Sequence, residues 1–204
     1  MTTNVIAWIN NMELAHKFLE LARIMGLNVK IPRSINIKCD RNDIIITDDP
    51  GVFSSLRRGC RIILIRNNDT LSSLIDIVSV LIGTPSEIVV GVDLGKNKLA
   101  YVVIAAGSVL DYGICINCIE DFVEKICRIG SRKVVVGIGY TDSVSRAAEK
   151  LYQLLHGCGV EAVIVNEEES NRTTLMGLRG SEQLRKTDLR AAAIVALRSR
   201  SWKR

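Results

Sequence analysis

Ile88-Val-Val-Gly-Val-Asp-Leu-Gly-Lys-Asn-Lys-Leu-Ala-Tyr-Val-Val-Ile104 decides how the chain is read. An apolar run ends at Asp93, the chain turns through Gly95 to Lys98, and a second apolar run follows, the pattern of two strands joined as a hairpin. Alternation along the first strand puts Val89, Gly91 and Asp93 on one face, so a carboxylate projects from the end of a strand that is otherwise buried. Desolvating a charge without a partner is costly. The fold must therefore bring Asp93 a cation, a hydrogen-bond network or a metal.

Downstream, a third apolar run over 109–116 follows a tight turn at Gly107-Ser108, which makes the first three strands an antiparallel meander. A helix is predicted over 119–129, a near-continuous apolar strand over 133–138, a helix over 142–156 and a buried strand over 161–165. A polar loop from Glu169 to about Gly180 leads into a last helix that reaches Leu197. The order β-β-β-α-β-α-β-α is that of the ribonuclease H fold, an α/β fold whose mixed sheet has its first strand at the centre.

Upstream, residues 1–85 read as a small parallel α/β domain of three layers, receiver- or Rossmann-like. Strands are predicted over 4–9, 27–31, 43–47 and 61–65, with helices over 12–24, 52–58 and 71–82. Asn10 or Asn11 caps the first helix and Gly26 closes it. Asp48-Asp49-Pro50 stands at a strand's carboxyl end, where open sheets bind ligands. With Asn10 and Asn11 rather than acids after the first strand, the Asp pair reads as a turn cap, and the domain as a binding or oligomerisation module. Gly83-Thr-Pro85 marks the boundary, and residues 86–204 hold the second domain.

The composition is 48% hydrophobic, enough for a real core, with a net charge of +5. From Arg172 onward nine Lys or Arg face two acids, so the basic excess collects in the tail and suits a polyanionic partner. No apolar stretch reaches the roughly 18 residues of a membrane span, and the N-terminus lacks a charged region followed by an apolar one. A soluble, cytoplasmic protein with no membrane partner is expected. Of the six cysteines only Cys115 and Cys118 form a C-x-x-C, and the histidines are two, His16 and His156. That is a poor zinc set. Buried thiols or disulfides of the kind found inside hyperthermophile proteins are the better reading.

The remaining acids complete the pattern. Glu167 and Glu168 follow the strand over 161–165, and Asp188 opens the last helix in Lys-Thr-Asp-Leu-Arg-Ala-Ala-Ala. On that helix Asp188, Ala191, Ala192 and Val195 share a face, and the alanines let its backbone come close to the sheet. Asp93, Glu167 and Asp188 brought together would repel one another unless divalent cations joined them. Hard oxygen ligands suit magnesium or manganese, and two such ions about 4 Å apart activate a water and stabilise the leaving oxygen of a phosphodiester.

Gly-Val-Asp-Leu-Gly-x-x-x-Leu-Ala at 91–100, Val-Val-Val-Gly-Ile at 134–138, Val-Ile-Val-Asn-Glu-Glu at 163–168 with Arg172-Thr173-Thr174 beyond it, and Asp-Leu-Arg-Ala-Ala-Ala-Ile-Val-Ala-Leu at 188–197 resemble, in order and spacing, the RuvC and YqgF branch of the ribonuclease H-like superfamily. The resemblance covers residues 86 to 200. It implies a metal-dependent endonuclease acting on branched DNA, such as a Holliday junction in DNA recombination, or on structured RNA. Asp93, Glu167 and Asp188 would be catalytic acids and, with Glu168, the metal ligands. Where YqgF-like proteins carry Asp-Glu-Arg this chain has Asn166-Glu167-Glu168-Glu169, so Glu167 and Glu168 both stand as the ligand. RuvC has a further acid one turn before its last aspartate, where this chain has Arg185.

Lys96, Arg172, Arg179, Arg185, Lys186 and Arg190 are the candidate nucleic-acid contacts around that site, with Trp202 in the tail able to stack on a base. A homodimer would suit a two-fold junction. The alternative is a ribonuclease H-like protein without catalysis that binds nucleic acid as a scaffold. An actin-like ATPase, which also opens on Asp-Leu-Gly, needs a second meander that the first domain lacks.

Overall fold

The computed structural model describes residues 4–34, 39–55, 60–65, 69–83, 87–129, 133–166 and 174–201, with the side chains of Ser55 and Ser201 excepted. The chain forms two compact units, Met1–Thr84 and Pro85–Arg204.

The first unit is built on β1 (Val5–Trp8), β2 (Val29–Lys30), β3 (Ile44–Thr47) and β4 (Arg61–Leu64), with helices α1 (Met12–Ile24), α2 (Pro50–Ser55) and α3 (Thr70–Ile82). The strands are all parallel, in the order β2-β1-β3-β4. Ile44-Ile-Ile-Thr47 is buried throughout, as a strand flanked on both edges and covered on both faces must be. Both acids of Asp48-Asp49-Pro50 are used as caps. The Asp48 carboxylate accepts hydrogen bonds from the backbone N–H groups of Asn10 and Asn11, each 2.8 Å. Asn11 in turn accepts from the Leu14 N–H and starts α1. Asp49 accepts from Gly51 N–H at 2.7 Å at the start of α2. Carboxylates there also answer the positive ends of the helix dipoles. A cavity of about 210 Å³ opens at the carboxyl end of β1, between Trp8, Asn10, Phe18, Ile31 and Pro32.

The second unit contains β5 (Ile88–Leu94), β6 (Lys98–Ala105), β7 (Ser108–Ile116), α4 (Ile119–Cys127), β8 (Val134–Tyr140), α5 (Ser145–Gly157), β9 (Glu161–Asn166) and α6 (Thr187–Ser201). Its sheet is mixed, in the order β7-β6-β5-β8-β9, with the first strand in the middle. β5 runs antiparallel to β6 and parallel to β8. Several boundaries differ from the sequence pattern, α4 among them, which ends at Cys127 rather than at 129. β8 runs on to Tyr140 because its pairing with β9 continues through Gly139 and Tyr140. The helix expected over 142–156 is a 3₁₀ turn at Asp142–Val144 followed by α5. α6 reaches Ser201, past the expected end at Leu197, so Arg198 and Arg200 are helical.

α6 lies against β5, β6 and β8 on one face of this sheet. Two glycines set how closely. A Cβ on Gly91 would overlap the Ala192 carbonyl oxygen and stand 2.6 Å from the Ala196 nitrogen, and one on Gly137 would stand 2.9 Å from Ser199 Cβ. Ala192, Ala193 and Ala196 are fully buried there beside Val89, Ala100, Val102 and Leu189. The other face is covered by α5, on β8 and β9, with α4 packed on α5.

All six cysteines are paired, Cys39 with Cys60, Cys115 with Cys118 and Cys127 with Cys158. Thiols so joined are not available as thiolate ligands, which removes the C-x-x-C from any zinc set. Among the described residues no helix is long and apolar enough to cross a membrane.

Candidate active site

β5 delivers Asp93 one residue before its end, half-buried, on the face that α6 covers. The same alternation on β6 puts Lys98, Ala100 and Val102 on that face, with Ala100 directly across from Asp93. α6 begins at Thr187, and because Ala192 and Ala196 are drawn down onto Gly91, the helix's first turn stands above the end of β5. Asp188 is in that turn.

Lys98, on the strand paired with that of Asp93, reaches across to α6. Lys98 Nζ donates to Asp188 Oδ2 at 2.6 Å, across 90 residues of sequence. The hydrogen bond to Asp188 raises the Lys98 pKa above that of an ordinary lysine; partial desolvation opposes this, and the negative charges of Asp188 and then Asp93 reinforce it. The stem of Lys98 lies over Gly95, where a Cβ would come within 2.9 Å of Lys98 Cγ and 3.1 Å of its Cε. Gly95 therefore leaves the path along which the lysine reaches Asp188.

Glu167 and Glu168 lie outside the described residues, but the chain leading to them is held. β9 ends at Asn166, whose carbonyl accepts from Arg198 Nη1 on α6 at 2.7 Å. The parallel neighbour β8 ends at Tyr140 beside the end of β5, so the exposed Asp142 stands at the same end of the sheet, 3.4 Å from the Tyr140 hydroxyl. Among the described residues no three Asp, Glu, His or Cys side chains gather into a metal cluster. The described part of the site is two carboxylates and one lysine. The donor chemistry of Asp93 and Asp188, hard oxygens on adjacent rigid elements, fits magnesium or manganese.

The basic residues divide. Lys96 is exposed in the β5–β6 turn next to the acids, and Arg185, Lys186 and Arg190 are exposed around the start of α6. Arg179 is elsewhere. Its N–H donates to the Gly107 carbonyl at 3.1 Å and its carbonyl accepts from Val109 N–H at 2.9 Å, at the β6–β7 turn. Since Ala105 pairs with Ile88, that turn is at the opposite end of the sheet from Asp93, roughly 16 Å away along the strand. In the described stretch before α6, Leu178 and Leu184 are buried with Leu189 and Ala192. Arg172 and Trp202 lie outside the described residues.

Lys98 is the residue that reading the sequence as a list of acids missed. Its signal was present in the alternation, since Lys98 shares a face with Ala100 across from Asp93.

No family model matches the chain, and no curated protein is similar to it. Among solved structures, the chain is similar to one described as a Thermus thermophilus RuvC structure, at 15% identity over 54% of this chain and 90% of that one, with a TM-score of 0.42.

Proposed function

We propose that the second unit is a ribonuclease H-like, metal-dependent endonuclease that hydrolyses phosphodiesters in branched DNA or structured RNA. The observation that carries this reading is the convergence of Asp93, at the carboxyl end of the central strand, and Asp188, in the first turn of the last helix, at the end of the sheet where Lys98 reaches Asp188. Asp93 and Asp188 hold magnesium or manganese, with Glu167 or Glu168 as the further carboxylate. A pair of such ions supplies an activated water and a counter-charge for the leaving oxygen. The residues of the chain do the rest. Lys96, Arg185, Lys186 and Arg190 bind and orient the sugar-phosphate backbone across the mouth of the site, and Gly91 keeps the two aspartates in register by fixing α6 on the sheet. The first unit acts as a binding or oligomerisation module, and a homodimer would present two such sites to a two-fold junction. A cytoplasmic location belongs to the same proposal.

The test is cleavage of labelled four-way junctions, duplex DNA and folded RNA with magnesium or manganese, beside Asp93→Asn and Asp188→Asn. Cutting of one substrate that is lost in both variants and without metal supports the reading and identifies the polymer. One observation favours a second reading, a nucleic-acid scaffold without catalysis: Lys98 already neutralises Asp188. Tight binding of the same substrates without cutting, unchanged in both variants, would select it.

A further inference from the structure

We infer that Lys98 is a built-in counter-ion of the Asp188 carboxylate, within the field of Asp93, which holds Asp188 in place without metal and competes with a divalent cation at this pair of acids. The inference deepens the proposed function and rests on its metal-binding reading. Three observations carry it. The ammonium is 2.6 Å from Asp188 Oδ2, a contact that occupies the oxygen a hard cation would take. Its side chain is directed there by the open space over Gly95 rather than left to wander, although it is 44% exposed. It also shares the sheet face of Asp93 from the strand paired with it, so both acids act on a single cation. A lysine and a divalent ion drawing on the same carboxylates repel each other by an amount comparable to a hydrogen bond even at high dielectric. Entry of the metal therefore moves the lysine off Asp188 and outward. There the ammonium, on its flexible stem, becomes a donor for a phosphate oxygen of the bound strand.

Manganese binding to the full chain, measured by calorimetry and by loss of the free-ion electron spin resonance signal, tests this without any substrate. Lys98→Met is expected to bind manganese about tenfold more tightly than the wild type, and Lys98→Arg to stay near the wild-type affinity. Gly95→Ala keeps every charge and displaces only the stem, so it is expected to shift affinity in the same direction as Lys98→Met by a smaller factor. Asp93→Asn is the control for the site itself. Binding that is lost in Asp93→Asn but equal in wild type, Lys98→Met and Gly95→Ala overturns the role of Lys98 and leaves the metal site standing. No binding in wild type or in Lys98→Met overturns the metal site and this inference with it. Binding in Lys98→Met alone supports both.

Discussion

The two faces of the second unit's sheet each carry a lysine–aspartate pair of nearly the same length, and the pairs do different things. On the α6 face Lys98 and Asp188 are 2.6 Å apart, with side chains 44% and 31% exposed. On the α4 face Lys125 and Asp111 are 2.7 Å apart, with side chains 33% and 7% exposed. There Lys125 also donates to the Tyr101 hydroxyl at 2.7 Å, that hydroxyl donates to Asp111 at 3.1 Å, and the ammonium sits 4.8 Å from the Tyr101 ring centre. The ring itself packs on Phe122, with centroids 5.5 Å apart. The inner carboxylate is buried among its own partners, so the pair reads as a structural network. The outer pair ends in solvent, where a cation can exchange. Distance alone does not separate a structural pair from a functional one; access to water does.

The comparison can be broken most sharply at the outer face. Asp93→Asn or Asp188→Asn is expected to reduce cleavage by about 100-fold or more, with far-ultraviolet circular dichroism and melting temperature near the wild type. A matching loss of fold would mean that these acids are structural, like Asp111.

The next largest effect belongs to the inner face. Lys125→Met takes the cation away from the buried Asp111 carboxylate and is expected to destabilise the unit by about 3 kcal/mol, measured by urea unfolding. Lys98→Met, under the same conditions, is expected to leave the unfolding midpoint almost unchanged.

Covalent ties give a further contrast on the inner side. Cys127–Cys158 joins the ends of α4 and α5 across 31 residues, whereas Cys115–Cys118 spans three. Since the stabilisation grows with the loop that is closed, replacing Cys127 and Cys158 by serine is expected to cost about 2–4 kcal/mol. Replacing Cys115 and Cys118 costs clearly less, and equal losses would point to strain or contacts rather than chain entropy.

The smallest effect is the dependence on pH. Burial alone would lower the Lys125 pKa, but the charges and hydrogen bonds of Asp111 and Tyr101 outweigh it and hold it above an ordinary lysine. The Tyr101 hydroxyl is also raised, by burial first and then by Asp111. Groups raised in the folded state contribute fully below their ordinary values, near pH 10, and lose that contribution as pH rises through the folded ones. Stability is thus expected to be flat from about pH 7 to 9 and to fall above about pH 10. The fall should be weaker in Tyr101→Phe, read from melting curves.

Much of this was legible in the residues. Apolar alternation placed β5 and β6 to within a residue, Asn11 and Gly26 bounded α1, and the order of strands and helices in both units followed from periodicity and turn residues. The errors have physical causes. Arg179 looked adjacent to Asp188 because nine residues separate them, but the buried Leu178 and Leu184 draw that loop across the sheet. The expected end of the last helix at Leu197 falls short because the arginines beyond it carry no packing signal, yet Ser199, fully buried over Gly137, keeps α6 going.

Local pattern determined which residues form each strand and helix, and that Asp93 would stand at the end of a buried strand in need of a partner. It did so because alternation and capping act over a few residues. Which partner Asp188 receives was decided only in three dimensions. The small side chains at Gly91, Ala192 and Ala196 set the height of α6, the space above Gly95 aims Lys98, and the two together bring into contact charges that lie 90 residues apart.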